Sequence, residues 1–168
     1  MTTNPLKVLV LCTGNSARSI IGEYLLRAKS HGCIQSFSAG AKPTGKVNPL
    51  AIWVLKDRFG IDASDARSKS WEEFKNVPMD CVITVCDNAR ESCPVWPGRP
   101  VLAHWGSPDP AAFEGPEEAK QRMFVDVALQ IARRIDLMLA LPSHHLDAFR
   151  LQEIGQQAKL ANETFLPR

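Results

Sequence analysis

Cys12 and Arg18 stand six positions apart in KVLVLCTGNSARS, residues 7–19, with Thr13, Gly14, Asn15, Ser16 and Ala17 between them. A thiol, a turn of small and polar residues, and then a guanidinium form a set suited to gripping an oxyanion and attacking it. Where such a turn runs into a helix, its backbone N–H groups are orphan donors that the helix dipole reinforces, an anion cradle. Arg18 adds a planar fork for two oxygens of a tetrahedral anion. The same positive field is expected to lower the Cys12 pKa and give a thiolate nucleophile, with Ser19 placed to donate a hydrogen bond to its sulfur. A cysteine ending a strand is often only a small hydrophobe; the turn and the C-x5-R spacing argue for the nucleophile. The nucleotide-binding pattern G-x-x-x-x-G-K-[ST] is absent.

Cys81, Cys86 and Cys93 crowd together in DCVITVCDNARESCP. Cys86 closes an apolar run and Cys93 precedes Pro94. Cys81, inside the run, and Cys33, opening another, read as buried structural thiols. No metal site is expected: there is no C-x-x-C pair, and His104, His144 and His145 form no ligand set with the cysteines.

The elements around these residues follow from the apolar pattern. LKVLVLC, 6–12, reads as a buried strand, and 17–31 as a helix with Ile20, Ile21, Tyr24, Leu25 and Ala28 at helical spacing. A second strand is expected at 33–40. Asn48 caps a helix from Pro49 that Gly60 closes, and a short helix begins at Ser70. Residues 79–86 and 99–105 read as the third and fourth strands. From Pro116 to Leu141 runs a long amphipathic helix with Phe124, Val127, Ala128, Ile131, Ile135, Met138 and Leu139 on its inner face. Residues 142–168, with Leu146, Phe149, Leu151 and Ile154, read as a further helix and a frayed end. The pattern predicts an α/β fold, a four-stranded parallel sheet flanked by helices with an extra C-terminal helix. The expected division is a domain over 1–141 and a helical extension over 142–168. The third strand, beside the first, brings Cys86 to the same sheet edge as Cys12, where ligands sit in open α/β sheets.

The whole chain suits one core. It has 168 residues, 45% hydrophobic and 23% charged, with a net charge of +2, too small to argue for nucleic acid or a membrane surface. The apolar run near the N-terminus is too short for a secretory signal, and no stretch approaches the ~20 apolar residues of a membrane helix. A cytoplasmic monomer with reduced thiols is expected, so a disulfide there would be catalytic or transient.

CTGNSARS resembles the C-x5-R-[ST] signature of low-molecular-weight protein tyrosine phosphatases and of the arsenate reductases that share their fold. SPDP, 107–110, is similar to the late Asp-Pro of that family. The resemblance covers the first 141 residues and implies Asp109 as the general acid for a departing oxygen. Cys86 and Cys93, with CDNA and CP around them, resemble the redox pair of thioredoxin-coupled arsenate reductases. That implies arsenate, a phosphate-like oxyanion, as substrate and a sequence of sulfur steps. Cys12 attacks arsenic, Cys86 attacks the Cys12 sulfur and arsenite leaves; Cys93 then attacks Cys86, exporting the oxidation as Cys86–Cys93. No cofactor is implied beyond an external thiol reductant, thioredoxin or glutathione with glutaredoxin. Asn15, Glu23 and Ser38 match positions that help hold potassium in some relatives. Lys69 stands in place of the acidic fourth partner, either replacing the ion or as a solvated surface lysine. Two other readings stand beside this one: a protein tyrosine phosphatase with incidental later cysteines, and a non-catalytic oxyanion-binding or redox-sensing module. The phosphatase reading is weakened because Tyr24 is the only tyrosine in the chain.

Overall fold

The computed structural model describes residues 4–142, Asp147 and 150–156. Strand β1, Leu6–Cys12, is buried on both faces from Val8 onward, which suits an uninterrupted apolar run at the middle of a parallel sheet. It pairs with β2, Ile34–Gly40, on one side and β3, Cys81–Thr84, on the other; β4, Val101–His104, pairs with β3. All pairings are parallel and the order is β2-β1-β3-β4. The register sets Cys12 opposite Gly40 and Leu11 opposite Thr84, so the residues just past β1 and β3 emerge together at one edge.

Helix α1, Arg18–Lys29, follows β1 after the short turn and packs on β1 and β2. Helix α2, Pro49–Phe59, begins where its sequence predicts: Asn48 Oδ1 accepts from Leu50 N at 2.9 Å, and Gly60 ends it at a φ of +64°. Ser70 caps a short 3-10 turn, Trp71–Phe74. The third and fourth strands are shorter than the apolar runs that contain them. Residues 85–86 leave the ladder and lead into α3, Asp87–Ser92, an element too short to show a helical period. Helix α4, Glu117–Leu139, buries Phe124, Val127, Ala128, Ile131, Ile135 and Met138 as expected, while Leu139 is only partly buried.

The chain is helical again at 150–156. Leu151 and Ile154 are buried there, and Gln152 Oε1 accepts from His104 N at 2.9 Å on strand β4. Leu146, Phe149, His144 and His145 lie outside the described residues. Among the described residues no helix is long and apolar enough to cross a membrane. Cys33 departs from expectation: it is exposed, in the turn before β2, while Cys81 is buried and its thiol is pushed up to about 12 by desolvation.

Candidate active site

The cradle is shaped by where its carbonyl oxygens go. Cys12 O accepts from Ala41 N at 3.2 Å, Thr13 O from Lys42 N at 2.9 Å, Gly14 O from Thr44 N at 3.0 Å and Ser16 O from Asn48 N at 2.9 Å. Ser68 Oγ also donates to Gly14 O at 3.0 Å. With those oxygens held outward by the segment 41–48, the planar trans peptides turn the N–H groups of Thr13, Gly14, Asn15 and Ala17 to the opposite side. Asn15 sits at a φ of +46°, a left-handed conformation asparagine tolerates. It is fully buried. Its Nδ2 donates to Ser19 Oγ at 2.8 Å and Ser38 Oγ at 3.0 Å, and its Oδ1 accepts from Lys69 N at 2.9 Å. Asn15 therefore moulds the loop through its side chain. Gly40 is required by close approach: a Cβ there would lie 2.5 Å from Thr13 O. Helix α1 has Ala17 at its N-cap, with no side-chain cap and no acidic residue in its first turn, leaving its positive end turned to the cradle.

Cys12 and Cys86 meet at this site. Both are buried, at 5% and 8% exposure, and each thiol is the largest influence on the other's ionisation. Thr13 Oγ1 lies 3.2 Å from Cys86 Sγ. Two thiols in contact titrate as a pair, and the second ionises against the charge of the first. The negative charge rests on Cys86, whose pKa is pulled down to about 5 chiefly by the Cys12 thiol, aided by Thr13, the Ala89 N–H and Arg18. Cys12 is pushed up, first by the neighbouring Cys86 and then by burial, against the pull of Arg18. This corrects the expectation of a lowered Cys12 pKa: the positive field is present, but a neighbouring sulfur takes the charge. The hydrogen bond expected from Ser19 to Cys12 is not among the hydrogen bonds of the described residues; Ser19 Oγ accepts from Asn15.

Arg18 NH1 donates to Ser107 O at 2.8 Å and lies 3.5 Å from Val85 O; its NH2 is 3.8 Å from Asp109 Oδ2. Asp109 caps the 3-10 turn Pro110–Ala112, accepting from Ala111 N at 3.0 Å, and its side chain is 44% exposed. A carboxyl so placed is fixed in direction yet open to a ligand.

Asn15, Glu23, Ser38 and Lys69 also come together. Lys69 is buried; its Nζ lies 3.5 Å from Glu23 Oε1 and donates to Ser38 Oγ and Arg67 O at 3.2 Å each. Burial pulls its pKa down, with Glu23 opposing. Lys69 is therefore not a solvated surface lysine. Among the described residues no group of three or more His, Cys, Asp or Glu side chains could hold a metal ion.

Cys86 and Cys93 flank α3 as its N-cap and C-cap residues. Cys93 Sγ, half-buried, accepts from Trp96 Nε1 at 3.4 Å. At the other end His104 Nε2 lies 3.0 Å from Asp87 Oδ1, pinning the first turn of α3 to β4. Sequence reasoning missed the side-chain role of Thr13, and it missed Trp96 and His104. No spacing rule marks them, because each acts across the sheet or across a loop.

A sequence profile described as low molecular weight phosphotyrosine protein phosphatase matches residues 7–105. The chain is 36% identical over 128 residues to an arsenate reductase of Halalkalibacterium halodurans, covering 76% of this chain and 91% of that protein. Among solved structures it is similar to an arsenate reductase in the phosphate binding state, with TM-score 0.65 and 27% identity, over 80% of this chain and 97% of that one. It is also similar to a low molecular weight protein tyrosine phosphatase from T. tengcongensis, with TM-score 0.64 and 26% identity, over 78% and 95% of the two chains.

Proposed function

The chain belongs to the low molecular weight phosphotyrosine protein phosphatase family, and from that premise we propose that it is an arsenate reductase whose own cysteines supply the two electrons. One observation carries the reading: a second buried thiol, Cys86, lies beside the nucleophile Cys12 at the cradle, close enough for each to dominate the other's ionisation. Hydrolysis of a phosphate ester needs one sulfur and water. Two sulfurs in contact are what reduction through a disulfide needs.

Arsenate enters the turn 13–18 and meets inward N–H groups and the Arg18 fork. A proton passes from Cys12 to the neighbouring Cys86, and Cys12 Sγ bonds to arsenic. An As–O bond breaks, and the oxygen leaves as water on a proton from Asp109. Cys86, a thiolate again once its proton has passed to the Asp109 carboxylate or to water, attacks Cys12 Sγ. The S–As bond breaks with its electron pair on arsenic, arsenite departs, and Cys12–Cys86 is left as a disulfide. Arsenic accepts those electrons and phosphorus does not, so the choice between arsenate and phosphate lies in the second step. Cys93 then attacks Cys86 and frees Cys12.

The Cys86–Cys93 disulfide is reduced by an outside dithiol. The C-x6-C pair, with CDNA and CP around it, favours thioredoxin over glutathione with glutaredoxin, and reconstitution with each separates them. We read the Lys69 ammonium, set against Glu23 and Ser38, as the replacement for the potassium ion of some relatives. The reading is of a monomer in a reducing cytoplasm, with the chemistry in 1–141 and a helical extension over 142–168.

The Cys86→Ser variant tests the proposal. It is expected to keep slow aryl phosphate hydrolysis and to release no arsenite. Arsenite release at the unsubstituted rate would remove Cys86 from the mechanism and return the chain to the phosphatase reading.

A further inference from the structure

The buried side of α4 carries two residues that do not belong to an apolar face, Gln130 and Arg134, of which only Arg134 is charged. Arg134 lies between Ile131 and Met138 and is fully buried. Its NH1 donates to Trp105 O at 2.9 Å, Gly106 O at 3.0 Å and Ser107 Oγ at 3.1 Å; its NH2 donates to Gly155 O at 3.0 Å. No carboxylate pairs with it among the described residues. Burial pulls its pKa down to about 10, which still leaves it charged at neutral pH. A buried cation without a counter-ion is costly, and an apolar residue would fill the stripe without that cost.

The acceptors show what the charge holds. Residues 105–107 form the strap that leaves β4 and leads to Asp109. Trp105 N donates to Thr84 O at 2.7 Å and Ser107 N to Val85 O at 3.2 Å, so the strap runs alongside the end of β3, next to Cys86. Ser107 O is the acceptor, at 2.8 Å, for NH1 of Arg18. Two guanidinium groups thus grip one residue, Arg18 at its carbonyl and Arg134 at its hydroxyl. Ser107 is two positions before Asp109.

We propose that Arg134 is a positioning residue for the oxyanion step: it fixes the 105–107 strap, and through it the Arg18 fork and the Asp109 carboxyl. The helical segment 150–156 is part of the same device. It supplies the Gly155 carbonyl, and it docks on the strap through Trp105 Nε1, which donates to Leu151 O at 2.8 Å. Gly155 is needed for that docking, since a Cβ there would lie 2.8 Å from His104 O and 2.9 Å from Trp105 Cδ1. The C-terminal extension therefore acts on the site without touching the oxyanion.

The inference rests on the proposed roles of Arg18 and Asp109. Its test is a double-mutant cycle in the full chain, read as single-turnover arsenite formation against arsenate concentration. Arg134→Met is expected to lower the maximal rate at least tenfold. In the Asp109→Asn background the same change is expected to cost at least threefold less than in the parent, because the carboxyl is gone and only the Arg18 fork is left to disturb. Gly155→Val, which keeps the guanidinium, is expected to lower the rate in the same direction and to add nothing to Arg134→Met. A folded Arg134→Met protein with an unaltered maximal rate would overturn the proposal, as would losses that multiply fully with Asp109→Asn. If Arg134→Met does not fold, Arg134→Lys and Gly155→Val carry the same cycle. If the unsubstituted protein makes no arsenite, the reductase reading fails instead, and the cycle is read on aryl phosphate hydrolysis, which draws on Arg18 and Asp109 alike.

Discussion

A hydroxyl and a thiol hold the Cys86 sulfur, and each contributes to its low pKa. Replacing Thr13 by Val removes one of them with little change of shape. A hydrogen bond to a charged group is worth ~1.5–3 kcal/mol, so Thr13→Val is expected to raise the Cys86 pKa by about one to two units, read from thiolate absorbance against pH. The pair also sets a pH dependence of stability. An unfolded thiol ionises near ~8.5, whereas native Cys86 ionises at about 5. Between these values the unfolded chain binds more protons, so stability rises with pH; the gain is complete above ~8.5 and lost as pH falls through 5. Above ~8.5 the sign reverses, because Cys12, pushed up, keeps a proton that the unfolded chain releases. Urea unfolding of the reduced protein should show that rise, and Cys86→Ser should flatten it; an unchanged slope would contradict the assignment of the charge. At Lys69 the ammonium already pairs with Glu23, so the melting temperature is expected not to respond when sodium is exchanged for potassium at constant ionic strength. A potassium-dependent rise would show that an ion competes with Lys69.

At the scale of elements, α3 must change during the relay. Residues seven apart on a helix are separated by ~10.5 Å along its axis, while a disulfide needs Cα atoms within about 4.4–6.8 Å. Cys86 and Cys93 sit at opposite ends of α3. Forming Cys86–Cys93 is therefore expected to cost the amides of 87–92 their hydrogen-exchange protection and to break the His104–Asp87 contact. Equal protection in reduced and oxidised protein would count against the relay. This element was also the least legible. Helix α2 announces itself with Asn48, Pro49 and Gly60, and α4 with about four turns of apolar period from Phe124 to Leu139. Six residues in α3 span too little chain for a period, and the apolar run before it hides where β3 ends. The exposure of Cys33 escaped for a similar reason: a strand pattern does not say which of its first residues still lie in the turn.

Across the whole molecule, the cradle was legible because it is local: Cys12, the turn and Arg18 are contiguous, and the strand-to-helix setting follows from the residues on either side. The parallel order that brings Cys86 beside Cys12 was also legible, from four short apolar runs separated by helices. What joins distant segments was not. Thr13 meets Cys86 across 73 positions, and Arg134 reaches the strap and the C-terminal segment. A trace of the latter was visible, a charged residue inside an apolar stripe, but its partners emerge only when β4, α4 and 150–156 converge. The central claim concerns the molecule as a closed electron source: three cysteines, one ending β1 and two flanking α3, reduce one arsenate without help. It is tested most directly by mixing fully reduced protein with arsenate and no other thiol, quantifying arsenite, and mapping disulfides by mass spectrometry. The account expects about one arsenite per chain, with Cys86 joined to Cys93 and Cys12 free. No arsenite and five free thiols, beside steady aryl phosphate hydrolysis, would contradict it.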